Sequence, residues 1–274
     1  MTEKIIDTGN SRLFYKVSGN GWPVVLLHGF AEDSDIWNLQ QAELSAQYRL
    51  IIPDLPGSGR SDLVSNMSIE GLADSIKKIL EWELSTPQAA GPAQGVIMIG
   101  HSMGGYITLA FAEKYPDILQ AMGLFHSTAF ADNEEKKTTR QRGIAFIQSH
   151  GSYEFVKQST PNLFTEAYRI KNPERVSAMI DRYGTLNPLA LEAYYRAMIQ
   201  RPDRTAVLQS INKPVLFIIG KYDKAVPFED SLKQCHMPDQ AAIEILGNSA
   251  HMGMWEEREK STAALLSFLA DTTA

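Results

Sequence analysis

A serine stands between glycines in Gly100-His101-Ser102-Met103-Gly104, at the end of the apolar run Val96–Ile99 and directly before a helical pattern over 103–114. A buried strand has no use for a hydroxyl there, and packing alone does not call for glycines on both flanks. On so tight a strand-to-helix turn the side chain is thrust out of the sheet. The residues two before and two after it must be small, because the chain folds back on itself. Gly100 and Gly104 meet that need, and Gly105 lets the helix lie close to neighbouring strands. The first N–H groups of the helix, including that of Met103, point toward the serine oxygen and can stabilise negative charge there. The chemistry this suits is nucleophilic attack by Ser102. A helix N-cap role explains the serine but not the paired glycines. A serine hydroxyl is a weak nucleophile near neutral pH; it needs a base, and the base needs an acid to orient it.

The elements that must position such groups alternate along the chain. Residues 4–7 and 12–17 read as two strands joined by a turn at Thr8-Gly9-Asn10-Ser11. Further strands are expected at Val24–Leu27, Leu50–Ile52, Val96–Ile99, Met122–Phe125, Val215–Ile219 and Ala242–Ile245. Most are apolar throughout, as strands covered on both faces should be. Helical patterns lie near 35–47, 68–83, 103–114, 228–235 and 255–269. The pattern predicts an α/β fold: a mostly parallel eight-stranded sheet with helices on both faces. Residues 127–211 interrupt it with helical segments near 132–149, 152–158, 173–183, 188–200 and 203–210. That is too long for a connection and reads as a helical cap inserted between strands six and seven. The core domain is then 1–126 with 212–274. Ala89–Gln94 reads as a simple surface connection.

With these residues in place, the chain resembles the α/β-hydrolase superfamily over nearly its whole length. Three further motifs carry the resemblance. Leu26-Leu27-His28-Gly29-Phe30 follows the third strand. In the family the residue after His-Gly donates a backbone N–H to the oxyanion, which implies Phe30, paired with Met103. Asp54 to Ser61 (Asp-Leu-Pro-Gly-Ser-Gly-Arg-Ser) is similar to the family's turn after the fourth strand. Gly220-Lys221-Tyr222-Asp223 and Asn248-Ser249-Ala250-His251 follow the last two strands, where the family keeps its acid and base.

Six histidines compete for the base. His28 reads as a fixture of the oxyanion loop. His101 adjoins Ser102, but neighbouring side chains on a strand point to opposite faces. His126 follows a core strand at the pocket edge, and His150 and His236 read as surface residues. His251 lies in a loop after a strand, with Gly253 allowing a tight path, and is the expected base. Asp223 is the expected acid, since the order Ser, Asp, His matches this fold. An acid after the preceding strand, near Asp132, is the rival. Glu134, Glu135, Glu256 and Glu257 read as solvated helix faces.

The expected reaction is acyl transfer through an acyl-enzyme, on carboxylic esters of small to medium apolar acyl or alcohol groups. The apolar residues of 127–211 favour such a ligand: Phe130, Phe146, Phe155, Phe164, Tyr168, Met179, Tyr183, Tyr194, Tyr195 and Met198. Most should pack the cap, and a few should line the pocket. A carbon–carbon bond hydrolase or perhydrolase on the same triad is an alternative. A hydrolase-like small-molecule sensor with a protein partner is an alternative of another class. Ser102 argues against relatives that use an aspartate nucleophile.

The bulk numbers narrow the field. The chain has 274 residues, 44% hydrophobic, with net charge −6 and no basic tract, so nucleic acid and anionic membrane are not expected partners. No apolar stretch is long enough to span a bilayer, and the polar N-terminus does not read as a signal peptide. A single cysteine, Cys235, on what reads as a surface helix end, permits no intrachain disulfide and favours the cytoplasm. No metal and no cofactor are expected, because the histidines show no paired helical spacing and no phosphate-binding loop is present.

Overall fold

The computed structural model describes residues 1–85 and 95–273. The expected connection at Ala89–Gln94 lies outside the described residues. All eight expected strands form: β1 (Thr2–Asp7), β2 (Arg12–Ser18), β3 (Pro23–Leu27), β4 (Arg49–Pro53), β5 (Val96–His101), β6 (Leu119–Phe125), β7 (Val215–Gly220) and β8 (Ala241–Leu246). They build one sheet in the order β1-β2-β4-β3-β5-β6-β7-β8. β2 runs antiparallel to β1 and β4, and every other neighbouring pair is parallel. β6 starts at Leu119, three residues earlier than expected, because half-buried Gln120 breaks the apolar run there. β8 departs from the both-faces-covered expectation. It is an edge strand, with Ile243 and Ile245 49% and 37% exposed.

The sheet residues alternate between two cores, as strand geometry requires. Val25, Leu27 and Met98 pack with Leu72, Ile76 and Phe111 from α2 (Ile69–Leu84) and α3 (Met103–Lys114). Val24, Leu26, Ile97 and Ile99 pack on the other face with Leu44 of α1 (Asn38–Ser45) and Leu265 and Phe268 of α11 (Arg258–Thr273). α2 starts where it does because the Ser68 hydroxyl accepts the Gly71 N–H at 3.1 Å.

Five helices lie between β6 and β7: α4 (Glu134–Ser159), α5 (Glu166–Lys171), α6 (Pro173–Tyr183), α7 (Pro188–Gln200) and α8 (Thr205–Ser210). α4 joins two helices expected separately, across a kink where Gly151 has φ 80°. α5 was not expected; none of its residues is buried, so it leaves no apolar period to read. After β7 come α9 (Phe228–Gln234) and α10 (Gly253–Glu256). The helix expected over 255–269 is in fact α10 and α11, which part at Glu257. Cys235 is not at the surface. It closes α9 only 6% exposed, its thiol donates to the Ser231 carbonyl, and burial pushes that thiol up to about 11. Among the described residues no helix is long and apolar enough to cross a membrane.

Candidate active site

β5 ends at His101 and α3 begins at Met103, so one residue makes the whole turn. That residue, Ser102, sits at φ 51° and ψ −115°, which an L-residue rarely adopts and which costs roughly 1–3 kcal/mol. The glycines around it are required by contact. A Cβ on Gly100 would lie 2.2 Å from the Gly104 carbonyl oxygen, and one on Gly104 would lie 2.7 Å from that of His28. The crossing of β5, α3 and the loop after β3 leaves no room for either methyl. Among the described residues, the Phe30 and Met103 N–H groups have no acceptor, and the Ser102 hydroxyl has no hydrogen-bond partner.

Asp223 and His251 meet 28 residues apart in the chain. His251 Nδ1 donates to Asp223 Oδ2 at 2.7 Å, which leaves Nε2 for the cavity that His251 shares with Ser102. Asp223 Oδ1 accepts from the N–H groups of Ala225 and Val226, at 2.8 and 2.9 Å. Burial opposes ionisation of this carboxyl, yet the two imidazoles beside it hold it well below the usual carboxylate range.

The second imidazole is His126, fully buried, with Nδ1 3.3 Å from Asp223 Oδ2. The Gly220 N–H lies 3.1 Å from Nδ1, and the Gly253 N–H lies 3.1 Å from Nε2. A neutral imidazole accepts at one nitrogen only. The carboxylate puts the proton on Nδ1, so Nε2 accepts from Gly253. Burial pushes His126 down to about 4, despite the carboxylate beside it. His126, Asp223 and His251 bring their donor atoms within 4.8 Å of one another, a grouping that the helical spacing of histidines does not reveal. Each is already hydrogen-bonded to the protein, and the two imidazoles brace Asp223.

This brace makes the fold acid-sensitive. His126 takes its proton at about pH 4 when folded but near its ordinary 6.5 when unfolded. Between those values the unfolded chain binds more protons, so stability rises with pH across that window and falls on acidification. The loss from pH 6.5 to 4 attributable to His126 is about 3 kcal/mol. His126→Asn keeps a donor toward Asp223 and tolerates the residue's φ of 49°. Denaturant titrations from pH 4 to 7 should show the variant's stability falling by that much less.

Three other buried groups hold the loop after β3. Glu32 Oε2 accepts the Gly29 N–H at 2.6 Å and lies 3.0 Å from His101 Nδ1. His101 Nε2 is 3.1 Å from the His251 carbonyl oxygen, so His101 ties that loop to the one that carries His251. Burial opposes both charges, but each partner prevails: His101 is raised and Glu32 lowered. His28 Nδ1 donates to the Gly29 carbonyl at 2.8 Å, and its Nε2 accepts the Leu55 N–H at 2.9 Å. This joins the loop to the turn that starts at Asp54.

Glu256 and Glu257 are not solvated helix faces. Glu256 accepts from the N–H groups of Thr165 and Ala250, both at 2.8 Å, and Glu257 accepts from Asn248 N–H at 2.7 Å. They shape the loop that carries His251. Asp132, the rival acid, is instead held by Arg140 and Arg201. His150 and His236 are exposed, as expected.

Ser102, Phe30 and His251 open into one cavity of about 750 Å³. Six of the ten large apolar groups expected mostly to pack the helices line it: Phe130, Phe155, Met179, Tyr183, Tyr195 and Met198. Tyr194 does not line it; it is buried and donates to the Pro56 carbonyl at 2.6 Å. The helices are tied to the sheet side at several points. Arg182 pairs with Asp33 at 2.6 Å, and the His251 N–H donates to the Leu163 carbonyl at 2.9 Å.

Residues 23–258 match the family described as alpha/beta hydrolase fold. An (E)-2-((N-methylformamido)methylene)succinate hydrolase of Acinetobacter baylyi is 26% identical, over 99% of this chain and 100% of its own. A 2-hydroxy-6-oxononadienedioate/2-hydroxy-6-oxononatrienedioate hydrolase of Paraburkholderia phymatum is 27% identical, over 94% of this chain and 91% of its own. A thermophilic esterase of Thermogutta terrifontis, solved with malate bound, superposes with a TM-score of 0.90 at 26% identity, each chain covered in full. This chain belongs to the α/β-hydrolase family and is an enzyme.

Proposed function

We propose that this α/β hydrolase is a serine hydrolase that works through an acyl-enzyme, on carboxylic esters with small to medium apolar acyl or alcohol groups. The observation that carries the reading is the strained Ser102, which shares one cavity with a histidine whose other nitrogen is fixed on Asp223 at 2.7 Å. His251 Nε2 takes the Ser102 proton as Oγ attacks the ester carbonyl. The N–H groups of Phe30 and Met103 receive the oxyanion, and each such donor contributes roughly 3–4 kcal/mol to the barrier reduction. Asp223 keeps the imidazole in the right tautomer and stabilises the imidazolium. The proton passes to the departing alkoxide, and His251 then activates water to release the acid and free Ser102.

Residues 127–211 act in this reading as a cap over the core formed by 1–126 and 212–274, and its opening admits substrate. The buried, unpaired thiol of Cys235 suits a cytoplasmic setting. The Thermogutta relative is an esterase by its title, which favours esters. The Paraburkholderia relative, whose name describes an oxo-dienedioate hydrolase, favours carbon–carbon cleavage on the same residues as the second reading.

A p-nitrophenyl ester series from acetyl to dodecanoyl tests the proposal. Turnover should peak among the shorter acyl groups and fall by dodecanoyl, because a cavity of about 750 Å³ must also hold the leaving group. No turnover on any member would move the assignment to carbon–carbon cleavage.

A further inference from the structure

One wall of the cavity carries more positive charge than an apolar ester needs. Arg140 and Arg201 share a single carboxylate, Asp132. Arg140 Nε donates to Oδ2 at 2.5 Å, and Arg201 Nη1 lies 2.9 Å from Oδ1. Burial opposes ionisation of Asp132, but the two guanidiniums hold its carboxyl below the usual range. Two permanent cations against one anion leave an excess positive charge on a partly desolvated wall, where charge acts more strongly than in water. Lys136, one turn before Arg140 on α4, adds to it, because its ammonium is met by the neutral Ala225 carbonyl at 2.9 Å. The carboxylates that line the cavity do not offset this. Glu32 is engaged by Gly29 and His101, Asp230 pairs with Lys233 at 2.8 Å, and Glu135 is exposed.

Aromatic rings place these cations relative to the reacting atoms. The Arg201 guanidinium lies 3.9 Å from the centroid of Tyr106, which stands one turn beyond Ser102 on α3. The Arg140 guanidinium lies 5.6 Å from the centroid of Tyr195, which stacks on Phe30 at 4.3 Å. Each cation is thus one ring removed from the nucleophile or the oxyanion loop. The hydroxyls of Tyr106 and Tyr195 have no hydrogen-bond partner among the described residues. Burial pushes Tyr195 up to about 12, so it remains a donor.

We infer that this wall binds a substrate carboxylate remote from the scissile bond, so that the substrate is an ester whose acyl chain ends in a carboxylate. The inference rests on the serine-hydrolase reading and adds to it the substrate class. The acyl chain lies along the apolar side chains beside Phe30, and its far end meets Arg140 Nη1, the Lys136 ammonium and the two tyrosine hydroxyls.

The test compares methyl hydrogen adipate with methyl heptanoate, by methanol released, in the wild type, Arg140→Met and Lys136→Met. The wild type should favour the adipate half-ester in kcat/KM by at least about tenfold, as a charge-assisted hydrogen bond implies. Each variant should lower that ratio severalfold, Arg140→Met by about tenfold. The ratio cancels any loss of folded enzyme, and Asp132 keeps Arg201 when Arg140 is replaced. If the wild type cleaves both esters equally, or prefers methyl heptanoate, the carboxylate site is wrong while the hydrolase reading stands. A preference unmoved in both variants would likewise overturn the assignment to this wall. If neither methyl ester is cleaved while the p-nitrophenyl esters are, the substrate class is wrong and the hydrolase reading stands; if no ester of either set is cleaved, both readings fall together.

Discussion

Ser102→Ala should lower kcat on a short p-nitrophenyl ester by about 10⁵-fold or more, leaving only what the oxyanion donors and binding provide. Its stability should stay within about 0.5 kcal/mol of wild type, since the hydroxyl has no hydrogen-bond partner among the described residues. Ser102→Gly separates the chemistry from the backbone. It should be equally inactive but more stable, because glycine accepts φ 51° and ψ −115° without the strain a Cβ brings. Set against glycine's extra chain entropy, the net gain is about 1 kcal/mol, or about 2–4 °C in Tm. Calorimetry on the three proteins checks this. An inactive Ser102→Gly that is no more stable would mean the turn is not strained, and full activity in Ser102→Ala would remove the nucleophile from the mechanism.

The strands and the turn at Ser102 were legible because their causes are local. A parallel strand buried on both faces must be apolar throughout, and a one-residue turn against crossing backbones must have small neighbours. Gly100 and Gly104 state that second constraint in the sequence itself. Asp223 and His251 could be found as loop residues at strand ends, although 28 positions separate them. The groups around them were not legible. Glu32 and His101 meet across 69 positions, and Asp132 joins Arg201 from the far end of the helical segment. A buried charge and a solvated one look alike in local pattern; only its distant partner tells them apart. His101 was set aside as a base by strand alternation. Its ring is buried, bridging Glu32 and the His251 carbonyl. Glu256 and Glu257 mislead for the same reason, since their partners are the N–H groups of Thr165, Ala250 and Asn248 and the hydroxyls of Thr165 and Ser249, none of which lies on their own helix face. The cavity-lining aromatics were visible as a group, but which faced inward depends on how α4, α6 and α7 cross.

Asp223→Asn should leave the chain folded and cut kcat by about 10⁴-fold. Asparagine keeps the volume, and its oxygen can still accept from Ala225 and Val226. Its amide then faces the imidazoles of His251 and His126, each of which presents an N–H to the present carboxylate. An amide N–H facing the His251 Nδ1–H at the present 2.7 Å is repulsive, so His251 turns to the tautomer protonated on Nε2 and cannot accept the Ser102 proton. His126 meets the same conflict, so a loss of about 1–3 kcal/mol in stability should accompany the loss of rate. Steady-state kinetics with denaturant unfolding reads both. Near-full activity in Asp223→Asn would sink the assignment of the acid. A larger rate loss in Asp132→Asn than in Asp223→Asn would move the acid to the other position. The salt bridges argue against that outcome: Asp132 already holds two guanidiniums, while Asp223 holds the histidine that shares a cavity with the serine.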